Sequence, residues 1–199
     1  MTTNESFPKF DLPVDFIADD SITGDILNYY GNFPCKIKAG VFVLCTEGMV
    51  RATINLLEIV IRKNDFIVVL PNSFIQIHEV SSDTRISFAG FSSDFMLSGN
   101  YVEILLDFMP MILNSPVISL QEDVAGLYRN VYLLLIRAYT LPHSLENKEI
   151  IRSVLAIFLQ GTKELYKRYG KKLDEPLRRE QELYRQFIQL LMAHYTKEN

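Results

Sequence analysis

The chain has 199 residues, of which 48% are hydrophobic and 22% charged, and its formal net charge at pH 7 is −4. This composition is too apolar for a disordered chain, and it suits one compact domain with a helical appendage or two small domains. The apolar runs at 41–45 and 67–70 are much shorter than the roughly 20 residues of a membrane-spanning helix. Residues 1–13 lack the basic start and apolar stretch of a signal peptide. We therefore expect a cytoplasmic protein without membrane contact.

The charge is distributed unevenly along the chain. Residues 1–160 carry 11 Lys and Arg against 18 Asp and Glu, whereas residues 161–199 carry nine against six. Tight binding to a phosphate backbone needs clustered cations, and a weakly basic stretch of this kind is usually a solvated helix face. We therefore do not expect these residues to bind DNA tightly by themselves.

Between about residues 25 and 92, short runs of β-branched and aromatic residues are separated by turn residues every eight to twelve positions. The predicted strands are 26–30, 35–38, 41–45, 49–55, 58–61, 66–70, 75–80 and 85–91. Short strands at even spacing favour an antiparallel sheet that closes on itself or stacks on a second sheet, because closure removes exposed edges.

Two of these strands alternate between polar and apolar residues. Arg51, Thr53 and Asn55 share one face of 49–55, and Gln76 and His78 share one face of 75–80. The polar faces are either exposed to solvent or line a cavity, and the pattern leaves both possibilities open. If they line a cavity, Arg51 suits an anionic or carbonyl ligand, and neighbouring tyrosines could stack on it. The candidate ligand-binding residues are Arg51, Thr53, Asn55, Gln76, His78, Tyr29 and Tyr30.

After residue 95 the apolar residues recur with helical spacing. The predicted helices are 101–113, 123–140, a third that starts at 144 or 147 and ends at 169, and 177–195. The third helix is apolar on more than one stripe, so it must be covered on several sides, by 123–140 of the same chain or by a second copy. We favour a homodimer, because a large exposed apolar patch implies a partner. The predicted interface residues are Leu127, Val131, Leu134, Ile151, Val154, Leu155 and Phe158.

Signatures of catalysis are missing from the sequence. It contains no G-x-x-x-x-G-K-[ST] loop, no G-x-G-x-x-G after a strand and no G-x-S-x-G elbow. His78 is the only histidine in the strand region, and strand alternation points its neighbour Glu79 to the opposite face, so the two cannot chelate one ion. Cys35 and Cys45 form neither a disulfide framework nor a zinc motif, and Cys45 has the pattern of a small buried hydrophobe. We predict no catalytic residue, no metal and no cofactor.

Several motifs resemble those of the AraC family of bacterial transcription regulators. Residues 42–80, FVLCTEGMVRATINLLEIVIRKNDFIVVLPNSFIQIHEV, are similar to the family's cupin-type sensor barrel. The matching features are the strand leading to Gly48, the Asn64-Asp65 turn, the strand end at Leu70-Pro71 and a following strand with His78. The strand end at 88–92, FAGFS, fits the same pattern. The ending FIQLLMAHYTKEN resembles the helix that leads into the family's helix-turn-helix DNA-binding domain.

The resemblance implies an α+β fold, in which a cupin-like antiparallel β-barrel (a double-stranded β-helix) is followed by a helical dimerisation region. The expected divisions are a sensor domain at 1–96, a helical region at 97–176, and a linker and start of the DNA-binding domain at 177–199. The implied function is sensing of a small-molecule effector by a homodimer, with DNA bound only through a domain that would follow residue 199.

Two alternatives remain open at this point. A cupin-type enzyme, such as an isomerase or dioxygenase, would need a metal cluster or a paired acid and base. A structural dimeriser without a ligand would have a barrel interior filled by side chains such as Phe42, Leu44, Phe66 and Val68.

Overall fold

Strands dominate the first half of the protein and helices the second. The computed structural model describes residues 9–29, 31, 33–97, 101–140, 148–169 and 183. The strands are β1 (Lys9–Phe10), β2 (Phe16–Thr23), β3 (Cys35–Ile37), β4 (Gly40–Glu47), β5 (Met49–Ile54), β6 (Leu57–Arg62), β7 (Asp65–Val69), β8 (Ser73–Val80), β9 (Arg85–Phe91) and β10 (Val117–Ser119). The helices are α1 (Gly24–Tyr29), α2 (Ser93–Leu97), α3 (Tyr101–Asn114), α4 (Glu122–Thr140) and α5 (Lys148–Tyr169).

These strands form two five-stranded sheets that pack face to face. Sheet A has the order β1-β3-β8-β5-β6, and sheet B has the order β10-β7-β4-β9-β2. Neighbouring strands are antiparallel except β1 and β3, which are parallel. The chain passes back and forth between the sheets, because β4 is followed by β5, β6 by β7, and β8 by β9. This is the arrangement of a cupin-like barrel, and together with the helices that follow it confirms the predicted fold class.

Strand β7 of sheet B is buried on both faces. In β7, Phe66 and Val68 belong to the core shared with the helices, whereas Ile67 and Val69 belong to the core between the two sheets. Every residue of β7 is therefore buried. Its continuous apolar sequence, FIVV, is what a strand covered on both sides requires.

Helices α3, α4 and α5 cover the outer face of sheet B. The ring of Phe158 on α5 lies at the centre of this layer, with its centroid 4.9 Å from that of Phe42, 5.9 Å from that of Phe66 and 5.7 Å from that of Tyr132. Helix α5 thus finds its apolar cover within its own chain, which was one of the two possibilities that its sequence left open.

The turn at Gly48 closes one end of the barrel. Gly48 has φ +76°, and a Cβ at this position would lie 2.6 Å from Thr84 Cα. Its neighbour Met49 donates its backbone N–H to Ser81 Oγ at 2.8 Å, and Thr84 Oγ1 donates to the Met49 carbonyl at 3.1 Å. The left-handed conformation and the close approach of the 81–84 turn both require glycine.

Some elements differ from the sequence prediction. Residues 26–30 were predicted as a strand, but 24–29 form helix α1, and the strand that pairs with β9 on this side is β2. The prediction was wrong because β2 contains the polar run Asp19-Asp20-Ser21, which masks its alternation. Strands β1 and β10, with two and three residues, were too short to predict. The predicted helix 177–195 lies outside the described residues except for residue 183.

Among the helices of the described part of the chain, none combines the length and the apolar character needed to cross a membrane.

Candidate functional site

The side of β4 that faces sheet A is accessible, although the opposite side is not. Phe42 and Leu44, which face the helices, expose 1% and 0% of their surface, whereas Val41 and Val43 are only partly buried. Strand β4 has β7 and β9 on either side, so this exposure is not that of a sheet edge. A side chain inside a two-sheet barrel can be accessible only where the opposing side chains leave room. An accessible space therefore borders the inner face of β4.

The same partial burial recurs around this space. Val43 is paired with Phe88 of β9, which is also partly buried. The other partly buried apolar side chains in the core between the sheets include Leu27, Ile37, Ile59, Ile75 and Ile77. Toward the Gly48 end, Cys45 and Val50 are 0% and 3% exposed, whereas Val80, the register partner of Val50, is partly buried. The apolar groups that stay partly buried around the inner face of β4 are thus aliphatic and aromatic.

The polar side chains of Asn55 and Ser73 are hydrogen-bonded to each other at the other end of the barrel. Asn55, in the turn after β5 with φ +48°, donates from Nδ2 to Ser73 Oγ at 3.0 Å. Its Oδ1 accepts the backbone N–H of Phe74 at 2.9 Å. Ser73 is 2% exposed and lies in register with Ile37. Asn55 therefore fixes the turn between β5 and β6 to the start of β8.

The structure brings four predicted ligand-binding residues together, but on the outer face of sheet A. Thr53 is opposite Gln76 in the β5–β8 register, and its Oγ1 lies 2.7 Å from His78 Nε2. Arg51 lies beside them and forms ion pairs at 3.3 Å with both Glu58 and Glu79. The residues between them in β5, Val50, Ala52 and Ile54, face the barrel interior and are 3–5% exposed.

Arg51 is engaged by carboxylates of its own sheet. The hydrogen bonds that Arg51 donates to Glu79 and Glu58 raise the pKa of its guanidinium above the ordinary value, and its side chain is 40% exposed. Its surroundings are those of a solvated surface ion pair, a type of interaction that contributes little to stability. The sequence left open whether this face lines a cavity, and the structure shows that it faces away from the barrel interior.

His78 is the additional residue of a β-bulge. Arg51 is opposite Glu79 and Ala52 is opposite Ile77, so His78 has no counterpart on β5. The bulge brings His78 and Glu79 to the same outer face, where the first contacts Thr53 and the second Arg51. The expectation that His78 and Glu79 point to opposite faces is therefore wrong, because the bulge interrupts strand alternation. Among the described residues, no group of three or more potential ligands surrounds a possible metal position.

Other predicted site residues do not join this cluster. Tyr29 ends helix α1, and its side chain, like the whole of residue 30, lies outside the described part of the chain. The side chains that the sequence analysis considered as filling for the barrel, Phe42, Leu44, Phe66 and Val68, face the helices instead. The interior is bordered by the alternate residues of the same strands, including Val41, Val43 and Ile67. Strand alternation divides the residues of each of these strands into two faces, but it does not predict which face points into the barrel.

The residues predicted for a dimer interface fall into three groups by burial. Ile151, Leu155 and Phe158 are 7%, 0% and 2% exposed and belong to the core of their own chain, so a second copy could not reach them. Leu127 and Leu134 of α4 are 62% and 50% exposed. Val131 and Val154 are partly buried at the edge of the helical core. The accessible part of the predicted interface therefore lies on α4.

Comparison with known proteins found similarity at the level of structure. No protein-family model matches the sequence, and no curated protein matches it. A structure of ToxT from Vibrio cholerae is 12% identical with a TM-score of 0.41, covering 82% of this chain and 60% of that one. The AraC-like transcriptional activator CuxR is 9% identical with a TM-score of 0.44, covering 79% and 52%. The ethanolamine utilization protein EutQ from Salmonella typhimurium is 13% identical with a TM-score of 0.27, covering 39% and 55%. The chain thus spans about half to two thirds of the length of these proteins.

Proposed function

We propose that this protein is the effector-sensing and dimerisation domain of an AraC-type transcription regulator, in which a small molecule binds between sheets A and B. The observation that carries the proposal is the partly exposed apolar inner face of β4, at Val41 and Val43, between two sheets whose facing side chains are themselves partly buried. The motifs at 42–80 and 88–92 support the family, and DNA would be bound by a part of the regulator that follows these residues.

The nature of the groups around the space favours binding over catalysis. The alternative of a cupin-type enzyme requires a metal cluster or a positioned acid and base next to the substrate. Val41, Val43 and Phe88 offer hydrocarbon surface there, which can bind and orient a molecule but cannot transfer a proton. The second alternative, a dimeriser without a ligand, requires a filled interior, and the partial exposure of Val41 and Val43 argues against it.

A contiguous set of contacts links the space to helix α4. Strand β7, whose Ile67 belongs to the core between the sheets, pairs with β10, and β10 leads directly into α4. Ser119 of β10 donates from Oγ to Asp65 Oδ1 at 2.6 Å, and Asn64 donates from Nδ2 to Glu122 Oε2 at 2.6 Å. A ligand that moves β7 would therefore also move the start of α4. Regulation follows if the ligand binds better to one of two such arrangements.

Binding can be tested by a thermal-shift screen of small molecules with a variant that fills the space. A ligand at 100 times its dissociation constant should stabilise the protein by about 2.7 kcal/mol, which is a shift of roughly 5–10 °C for a domain of this size. Val43→Phe should abolish the shift, whereas Gln76→Ala, on the outer face of sheet A, should retain it. Val41→Phe gives a second filling variant, and the melting of each variant without ligand shows that it folds. If Val43→Phe and Val41→Phe respond to compounds like the parent protein, the proposed binding site is wrong.

Dimerisation is proposed through a stripe along α4 that we call the α4 ridge: Asp123, Leu127, Asn130, Leu134 and Arg137. These residues are spaced by four and three positions, so they lie on one face of the helix, and each is exposed. The ridge has two leucines in its middle, a carboxylate at its N-terminal end and a guanidinium at its C-terminal end.

The charges of the α4 ridge favour an antiparallel pair of copies. In an antiparallel pair centred on Asn130, Asp123 of each copy lies opposite Arg137 of the other, and the leucines of the two copies meet between them. A parallel pair would place like charges opposite each other, which is unfavourable. The two-fold symmetry of such a pair makes both ion pairs equivalent.

A charge-exchange experiment tests this arrangement. Asp123→Arg and Arg137→Asp should each weaken self-association, measured by sedimentation equilibrium at low salt, by about tenfold, because each places two like-charged pairs in the interface. An equimolar mixture of the two variants should associate as well as the parent protein, since both pairs are then complementary. Glu164→Arg, on the exposed side of α5, is the matched control and should have no effect. A parent protein that is monomeric at high micromolar concentration, or a mixture no better than the single variants, would contradict the proposal.

A further inference from the structure

We infer that the molecule bound between the sheets is uncharged and predominantly hydrophobic; this inference rests on the proposed function and names the chemical class of its effector. The sequence alone suggested a polar or anionic ligand, because Arg51, Gln76 and His78 share one strand face. The structure separates those side chains from the accessible space and assigns the space to the opposite, apolar side of the same strands.

The surface that a ligand would contact is predominantly hydrocarbon, with the uncharged side chain of Cys35, in register with Ile75, on the same side of β3 as Ile37. Val43 and Phe88 face the space from sheet B, and Ile37, Ile75 and Ile77 face it from sheet A. Each of these side chains is partly exposed in the structure, so covering it with an apolar ligand would remove further apolar surface from water. A carboxylate or ammonium group placed there would lose its hydration without gaining a charged partner from these side chains, which strongly disfavours it.

Polar groups at the end of the barrel and on the outer face of sheet A are already satisfied by one another. At the far end of the barrel, Asn55 uses Nδ2 on Ser73 Oγ and Oδ1 on the Phe74 backbone N–H. On the outer face, Glu58 and Glu79 engage the Arg51 guanidinium, and Thr53 engages His78. Recruiting any of these groups to a ligand would first break a hydrogen bond, so the net gain from a charged or strongly polar ligand is small.

The inference can be tested with ligands of equal length and different charge. The uncharged fluorophore N-phenyl-1-naphthylamine serves as the reporter, and 1-octanol, octanoate and glucose compete with it at pH 8. We expect 1-octanol to displace the reporter at a concentration at least about tenfold lower than octanoate, and glucose to have no effect. Octanoate should displace the reporter at a lower concentration when the pH falls below the pKa of its carboxyl group, because its neutral form then predominates.

Three protein variants show where the reporter binds and distinguish failure of the inferred ligand class from failure of the proposed function. Val43→Phe should weaken binding of the reporter at least about tenfold, whereas Arg51→Ala should leave binding and the order of competitors unchanged. Val41→Phe is the second filling variant, and circular dichroism verifies that each variant is folded. If octanoate or glucose displaces the reporter as well as 1-octanol does, and Val43→Phe still abolishes binding, the inferred class is wrong but the site stands. If the reporter binds equally well to the parent protein and to both filling variants, or does not bind at all, the proposed function itself fails.

Discussion

Two buried tyrosines on neighbouring helices should respond in opposite ways to loss of the hydroxyl group. Tyr132 of α4 is 0% exposed, and among the described residues its Oη has no hydrogen-bond partner. Tyr166 of α5 is 2% exposed, and its Oη donates to the Pro116 carbonyl at 3.1 Å. The two side chains are therefore alike in burial and differ in whether the hydroxyl is paired.

The magnitudes follow from the cost of an unpaired polar group. Tyr166→Phe loses a hydrogen bond and leaves the Pro116 carbonyl without it, which should lower the free energy of unfolding by about 1–1.5 kcal/mol. Tyr132→Phe removes an unpaired hydroxyl that costs about 1–3 kcal/mol to bury. The void left by one oxygen offsets only about 0.2 kcal/mol of this gain. Tyr132→Phe should therefore be neutral or stabilising by about 1 kcal/mol.

Urea unfolding followed by circular dichroism measures both effects. With a slope of about 2 kcal/mol per molar urea, the two midpoints should differ by roughly 1 M, with Tyr132→Phe the higher. Equal slopes would show that the unfolded states are comparable. If Tyr132→Phe lowers the midpoint as much as Tyr166→Phe does, the Tyr132 hydroxyl makes a stabilising hydrogen bond and the reasoning is refuted.

Three further predictions concern pH, packing and thiol reactivity. Burial raises the pKa of the Tyr132 and Tyr166 phenols above the ordinary value of about 10, so the unfolded chain releases these protons first as the pH rises. Above pH 10 the free energy of unfolding should therefore fall by about 1.4 kcal/mol per pH unit for each phenol. Tyr132→Phe should reduce this slope in alkaline urea titrations. Phe158→Ala should lower the free energy of unfolding by about 3–5 kcal/mol, because the Phe158 ring contacts both α4 and sheet B. Ile157 is 70% exposed, so Ile157→Ala should lower it by less than about 0.5 kcal/mol. Similar losses for the two variants in thermal unfolding would contradict the orientation of α5. Burial and the negative charge of Asp65 raise the pKa of the Cys45 thiol to about 11. At pH 8 a disulfide reagent should therefore modify Cys35 first and Cys45 only on unfolding. The variant Cys35→Ser checks this order, and simultaneous modification of both thiols would contradict it.

Much of the barrel could be predicted from local patterns. Alternating residues in 49–55 and 75–80 correspond to β5 and β8, and the turns at Gly48 and Asn64 adopt the positive φ angles typical of their residue types. These features depend on interactions between residues close in sequence, so local sequence patterns predict them. Helix α1 and the short strands β1 and β10 were missed because their conformation depends on distant partners, β8 and β2 for α1, β3 for β1 and β7 for β10.

The candidate site also depends on contacts between residues distant in sequence, which local patterns do not predict. Alternation correctly separated Arg51 and Thr53 from Val50 and Ala52, yet a period of two assigns residues to faces without naming what covers each face. The bulge at His78 could not be predicted either, because it is a property of the register between β5 and β8 and not of β8 alone.

By itself, the sequence determined that this protein has strands followed by helices, where most of the turns lie, and, away from the bulge at His78, which residues of β5 and β8 lie on the same face. Those properties follow from backbone geometry and local composition. Only the tertiary structure decided that the polar face of β5 and β8 is the outer one, that α5 is covered by its own chain, and that Val41 and Val43 border an accessible space. Each of these outcomes depends on which surfaces are removed from water when the two sheets and the helices pack together. That packing involves contacts between residues far apart in the sequence, so local patterns do not predict it.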